Sequence, residues 1–84
     1  MNDNLKDFIE LYADDETIKL DGYNHCIIGI DTNQKIIYDA NKIIETLASD
    51  MTTEEAVEYF YYNIEGSKLG EFNPIYVFKY EEIK

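Results

Sequence analysis

The residues of greatest chemical reactivity in this sequence are a neighbouring histidine and cysteine, His25 and Cys26. A cysteine nucleophile needs a base within hydrogen-bond reach, and histidine commonly supplies it. The β-branched residues around this pair predict a strand, however, and neighbouring side chains on a strand point to opposite faces. We therefore expect one of the two side chains to face the core and the other to face out, without forming a Cys-His pair.

A second polar segment, Asp31-Thr32-Asn33-Gln34, carries oxygen ligands of the kind that calcium prefers. A calcium loop of the EF-hand type also needs a glycine at its sixth position and a glutamate at its twelfth, where this chain has Ile36 and Lys42. The lone cysteine excludes an internal disulfide and a four-cysteine zinc site. We therefore interpret the segment as a turn, and the sequence predicts no metal and no cofactor.

Carboxylates dominate the charge of the chain. Eighteen Asp and Glu stand against seven lysines, and the formal net charge is −11. Acid–base catalysis needs carboxylates in a shielded cleft, which 84 residues hardly provide, so we expect no enzyme. Phosphates and anionic membranes need clustered Lys or Arg, so neither nucleic acid nor a membrane is an expected partner. A basic protein would be attracted; the alternative is that the charge only keeps the chain soluble.

Length and hydropathy bound the architecture. A chain of 84 residues predicts one domain, residues 1–84, and a hydrophobic share of 45% with 14% aromatic residues supports a small core. The first residues are polar and acidic, and no apolar run approaches the roughly 20 residues that span a bilayer. We therefore expect a cytoplasmic protein.

The first half of the chain contains signals for a helix and a hairpin. Helical spacing of apolar residues predicts a helix from Asp3 to Ala13, and a short strand is predicted at 17–20. The segments 25–30 and 35–38 are rich in β-branched residues and predict the two strands of a hairpin. The polar segment between them is the predicted turn.

The second half of the chain predicts two helices and a strand. One helix begins at Asp39 or Asn41 and ends near Ser49, and the next runs from Thr53 to about Ile64 after a capping box. The alternating segment 75–80 predicts a last strand that pairs with the hairpin. The predicted fold is a small single α+β domain, in the order α-β-β-α-α-β, with an antiparallel three- to four-stranded sheet covered by helices.

Acidic side chains align on the first and the last of the three predicted helices. The first acidic row is Asp3, Asp7, Glu10 and Asp14, which fall within a sector of about 60° at ~100° per residue. The second acidic row is Glu54, Glu58, Tyr61 and Glu65. Such rows coarsely resemble the charge row of a nucleic-acid backbone, so a basic groove that binds DNA or RNA could accept them. The alternative is that both rows are solvated helix faces.

Several segments also carry a family resemblance. They are Asp21-Gly22-Tyr23, residues 26–31, Ile37-Tyr38-Asp39, residues 51–60, Asn63, Gly66, Gly70-Glu71 and Pro74-Ile75. With these segments, over residues 21–78, the chain resembles small acidic proteins that are encoded mainly by bacteriophages and other mobile elements, mostly of unassigned function. Asn24-His25 departs from the acidic residues expected there. The resemblance implies a phage context, in which small acidic proteins often inhibit host enzymes or defence systems.

These observations lead to two hypotheses. The leading one is a non-catalytic, phage-type inhibitor in the host cytoplasm that occludes a basic nucleic-acid-binding surface of a host protein. Such a protein would be a DNA mimic, like anti-CRISPR or anti-restriction proteins by analogy of class, and would bind through both acidic rows. The alternative is a structural or oligomerising phage protein, forming a homodimer through the aromatic last strand with Tyr76, Phe78 and Tyr80.

Overall fold

The computed structural model of the chain describes residues 3–67 and 70–80, with the side chain of Asp3 outside the described part. The elements are α1 (Asp3–Tyr12), a 3₁₀ helix (Asn24–Cys26), β1 (Ile27–Ile30), β2 (Ile36–Asp39), α2 (Ala40–Leu47), α3 (Thr53–Tyr59), a π-helix (Phe60–Glu65) and β3 (Ile75–Val77). The predicted α+β class is confirmed. The predicted order is matched in part, since the 3₁₀ helix and the π-helix were not expected.

The hairpin forms as the sequence predicts. β1 and β2 pair antiparallel, with Ile27 opposite Tyr38 and a bulge one residue later. The carboxylate of Asp31 accepts hydrogen bonds from the backbone N–H groups of Asn33 and Lys35, both at 2.9 Å. The polar segment is therefore a turn in which the aspartate satisfies backbone donors that would otherwise need water.

The last strand pairs with the hairpin, but in the direction opposite to the expected one. β3 lies beside β2 in parallel, with Tyr38 opposite Tyr76, and the sheet is mixed with the order β1-β2-β3. The predicted antiparallel sheet is wrong at this strand. Alternation along a strand fixes which side chains share a face, but not the direction of the strand. The two helices between β2 and β3 carry the chain back, which is the crossover that a parallel pair requires.

Both caps expected for the central helices are present. The carboxylate of Asp39 accepts a hydrogen bond from the backbone N–H of Lys42 at 3.3 Å, so α2 begins directly after β2. At α3, the hydroxyl of Thr52 accepts from the N–H of Glu55 at 3.1 Å, and the Glu55 carboxylate accepts from the N–H of Thr52 at 3.2 Å. This capping box satisfies two donors that a helix start leaves open.

An aromatic row fills the core. Tyr38, Tyr76 and Phe60 form it, with ring centroids 6.0 Å apart between the two tyrosines and 5.4 Å apart between Tyr76 and Phe60. The hydroxyl of Tyr38 accepts a hydrogen bond from the N–H of Leu20 at 2.8 Å. Besides Tyr38 and Phe60, the fully buried side chains of the described residues are Cys26, Ile36, Ala40, Ile43 and Ala56. None of these comes from α1.

Two predicted strand segments are not strands. His25 and Cys26 belong to the 3₁₀ helix that precedes β1. Residues 17–20 have no regular structure, and the N–H of Ile18 reaches the carbonyl of Phe72 at 3.4 Å instead of a neighbouring strand. The composition of such short runs does not decide their backbone conformation, because strand propensity depends on packing against neighbours.

The helix that begins at Thr53 changes its winding after Tyr59. Within the following π-helix, the N–H of Gly66 donates to the carbonyl of Tyr61, five residues back, at 2.9 Å. A Cβ atom on Gly66 would lie 2.8 Å from that same oxygen, so glycine is the residue that permits this close approach. The predicted helix end near Ile64 is thus right in position, but its last turn is π-helical.

Candidate acidic and aromatic binding surfaces

The first acidic row is only partly helical. Asp7 and Glu10 are exposed on α1, which ends at Tyr12. Asp14 therefore lies in the turn beyond the helix, where its carboxylate accepts from the N–H of Glu16 at 3.0 Å. Asp3 begins α1, but its side chain lies outside the described part. Two helical carboxylates and one turn carboxylate stand where the spacing predicted four in line.

Lysines accompany this row on one side. A cavity of about 240 Å³ lies beside α1, and Ile36 of β2 forms part of its wall. Its remaining lining is Lys6, Ile9, Glu10, Ala13, Asp14, Thr17 and Lys19. The field around Glu10 and Asp14 is therefore reduced by two nearby cations.

The second acidic row lies on α3 and the π-helix. Glu54 and Glu58 are exposed on α3, and Tyr61 and Glu65 are exposed on the π-helix. Within the part of the chain that the structure describes, no ion pair joins any of the three carboxylates to a lysine. In a π-helical turn the backbone N–H donates to the carbonyl five residues back, so the turn contains more residues than an α-helical turn. Tyr61 and Glu65 therefore do not continue the straight line of Glu54 and Glu58.

The sequence-based prediction did not include a neighbouring surface on α3 and the π-helix. We call it the α3 depression; it has a volume of about 340 Å³ and is lined by Met51, Glu55, Glu58, Tyr59, Tyr62 and Asn63. Of the second acidic row, only Glu58 contributes to it. The available signal was the spacing of Glu55, Tyr59 and Tyr62, which places one carboxylate and two rings on one helical face. The prediction centred the surface on Glu54 instead.

The last strand presents less aromatic surface than expected. Tyr76 belongs to the aromatic row, and burial raises the pKa of its hydroxyl to about 12. Phe78 follows β3 and places its ring centroid 6.3 Å from that of Phe60, while remaining half exposed. Tyr80 is 90% exposed. Tyr76 therefore packs against the core, and of the three aromatic residues predicted to form an interface Phe78 and Tyr80 are the exposed ones.

The two side chains of the reactive pair differ in burial as expected, but they lie in a 3₁₀ helix and not on the predicted strand. Cys26 is fully buried, and burial raises the pKa of its thiol, so little nucleophilic thiolate forms. His25 is exposed, and its Nε2 lies 2.8 Å from Oγ1 of Thr46. Among the residues described, no group of three or more His, Cys, Asp or Glu is placed to hold a metal ion.

Comparison with known proteins adds no relative. No protein-family model, curated protein or solved structure matches the chain. Over residues 3–67 and 70–80, no helix combines the length and the apolar character needed to cross a membrane. The candidate sites therefore stand on the geometry of this chain alone: the first acidic row, the second acidic row and the α3 depression.

Proposed function

We propose that this chain is a non-catalytic, phage-type inhibitor that docks on a basic, nucleic-acid-binding surface of a host protein. One observation carries the proposal: the carboxylates of Glu54 and Glu58 on α3 and of Glu65 on the π-helix are exposed, with no lysine paired to them in the described part of the chain. In a protein with a formal net charge of −11, these groups are available to a cationic partner.

Electrostatic attraction would favour such a partner in two ways, by speeding the encounter and by raising the specificity of binding. Exposed carboxylates are solvated in the free protein and lose little by remaining unpaired. A basic groove brings opposite charge to them, which speeds encounter and excludes acidic competitors. The same groove in its ordinary role would bind phosphates, so the chain and a nucleic acid would compete for it. The more specific form of this proposal is that the chain acts as a DNA mimic.

The non-catalytic part of the proposal has separate support. The strongest nucleophile of the chain, Cys26, is shielded from substrate by complete burial. The carboxylates of Glu54, Glu58 and Glu65 are exposed to water, whereas acid–base catalysis depends on carboxylates enclosed in a cleft. The phage origin and the host cytoplasm as the place of action rest on the sequence resemblance.

The test is competition between the chain and DNA for a captured partner. Wild-type chain on beads is incubated with host lysate at low salt, with and without added duplex DNA, and captured proteins are identified by mass spectrometry. We expect a nucleic-acid-binding protein that is released by DNA and by salt, since both compete for the same charges.

A matched pair of variants locates the interface. Glu54→Gln, Glu58→Gln and Glu65→Gln together should weaken binding of the captured protein about tenfold or more, because three charge contacts are lost. The control neutralises Asp21, Asp50 and Glu71, three exposed carboxylates outside both rows. Equal weakening by both triple variants would show a response to net charge alone, and a partner that DNA does not displace would contradict the proposal.

One observation favours the alternative of self-association. β3 lies at an edge of the sheet, and Phe78 directly after it is half exposed. An unpaired strand edge can accept a strand from a second copy. We consider this the weaker proposal, because the edge strand has three residues and Tyr76 is committed to the core. A dimer that persists at high salt on a sizing column would favour it over the inhibitor.

A further inference from the structure

The α3 depression combines negative charge with aromatic rings in one small surface. Glu55 and Glu58 supply the carboxylates, and Tyr59 and Tyr62 supply the rings. Tyr62 is 82% exposed and Tyr59 is 43% exposed, so both rings are accessible to a ligand. Met51 adds an adaptable, polarisable contact at the same surface.

The capping box fixes part of this surface. One oxygen of the Glu55 carboxylate accepts from the N–H of Thr52 at 3.2 Å, so the Glu55 side chain is held in one position at the start of α3. Glu58 lies one turn further along and has no hydrogen bond or ion pair within residues 3–67 and 70–80. A ligand would therefore meet one positioned carboxylate and one free carboxylate.

The residues that line the α3 depression favour a ligand group that is both cationic and planar. Two carboxylates repel phosphates and carboxylates, and burying them under an apolar partner would cost desolvation without compensation. Exposed tyrosine faces attract cations, and arginine stacks on them more readily than lysine because its guanidinium is flat. The same guanidinium directs several N–H groups at carboxylates in a fixed fork. The lining thus matches a guanidinium better than an ammonium.

We infer that the α3 depression receives an arginine side chain of the basic partner, with the guanidinium against Tyr59 and Tyr62 and its N–H groups directed at Glu58. This inference rests on the proposed function, which it deepens by naming the group that is recognised. Tyrosine and arginine are both enriched among the residues that dominate protein interfaces. The depression would give specificity to an encounter that the acidic rows accelerate.

The experiment uses the full chain and a defined probe. The ¹⁵N-labelled chain is titrated with hexa-arginine and, separately, with hexalysine at the same low ionic strength, and amide shifts are followed by NMR. We expect hexa-arginine to bind several-fold more tightly than hexalysine, with its largest shifts at Met51, Glu58, Tyr59 and Tyr62. A guanidinium probe tests the depression directly, since both peptides carry the same charge.

A double variant and a matched control complete the test. Glu58→Gln with Tyr62→Ala should weaken hexa-arginine binding about tenfold, since both a charge contact and a stacking contact are lost. The control, Glu71→Gln with Tyr80→Ala, makes the same two changes at exposed positions outside the depression. Urea unfolding of both variants verifies that each remains folded. Equal loss in the two variants, or equal affinity for the two peptides, would overturn the inference.

The two proposals fail in different ways. If hexa-arginine binds at the depression but no captured host protein is released by DNA, then the depression stands as an arginine site and the inhibitor proposal fails. If a captured protein is released by DNA yet Glu58→Gln with Tyr62→Ala leaves hexa-arginine binding unchanged, then the inhibitor proposal stands and the arginine site fails.

Discussion

Two aromatic pairs with similar centroid distances lie in very different surroundings in this molecule. Phe8 and Tyr12 of α1 have ring centroids 5.2 Å apart, and Tyr76 and Phe60 in the aromatic row have centroids 5.4 Å apart. Tyr12 is nevertheless 54% exposed, whereas Phe60 is 1% exposed. The pair in α1 belongs to a single helix, while the pair in the core joins β3 to the π-helix. The ring separations are thus similar, and what differs most is how far each pair is exposed to water.

The comparison indicates two levels of stability in one small chain. Burial of apolar area is the main favourable term in folding, and it is concentrated where several elements meet. β2, α2, the π-helix and β3 meet at the aromatic row. The apolar residues Leu5, Phe8 and Ile9 of α1 are only partly buried. We therefore expect α1 to open at lower free energy than the core.

The largest expected effect is a truncation in the aromatic row. Phe60→Ala should lower the free energy of unfolding by about 3–5 kcal/mol, and Phe8→Ala by less than half of that, because Phe8 is partly solvated in the folded state. Since domains of this size have small stability, the milder Phe60→Leu keeps the comparison measurable. Urea unfolding followed by circular dichroism gives both values. Equal losses at Phe60 and Phe8 would remove the distinction between the two regions.

A smaller effect is expected at alkaline pH. The hydroxyl of Tyr76 has a pKa raised by burial to about 12, against 10.0 in a solvated tyrosine. The unfolded chain releases this proton first, so the contribution of neutral Tyr76 is complete below pH 10 and is lost as the pH rises towards 12. The urea midpoint should fall over that range, and it should fall less in Tyr76→Phe. Parallel declines would place the sensitivity at other groups.

The smallest effect is expected on α1. Tyr12→Ala should change the free energy of unfolding by less than about 0.5 kcal/mol, because the ring is mostly solvated. As a contrast within the core, Tyr38→Phe removes the hydroxyl that accepts from Leu20 and should cost about 1–2 kcal/mol. Both are measured by urea unfolding. A loss above about 2 kcal/mol in Tyr12→Ala would place α1 in the core.

Much of the fold follows from local signals. Asp39 and the pair Thr52 and Glu55 mark helix starts, because a side-chain oxygen can satisfy open backbone donors there. The hairpin follows from two β-branched runs around an aspartate-led turn. These predictions are right because each depends on residues close together in sequence.

The rest depends on contacts between distant segments. Nothing in the alternation of residues 75–80 tells whether the strand runs parallel or antiparallel to β2, and the π-helix has the same apolar spacing as an α-helix until Gly66 closes it. For the candidate sites, composition predicts the exposed carboxylates. It did not predict the α3 depression, because helical spacing can place Glu55, Tyr59 and Tyr62 on one face but cannot show that the surface there is concave.

The parallel pairing of β3 with β2 has a consequence for unfolding of the chain. Tyr76 of β3 contacts both Tyr38 of β2 and Phe60 of the π-helix. Detaching β3 from the sheet would take away the ring that these two elements share and leave two large rings facing water. Loss of this short strand is therefore expected to loosen the sheet and the helices together, not the sheet alone.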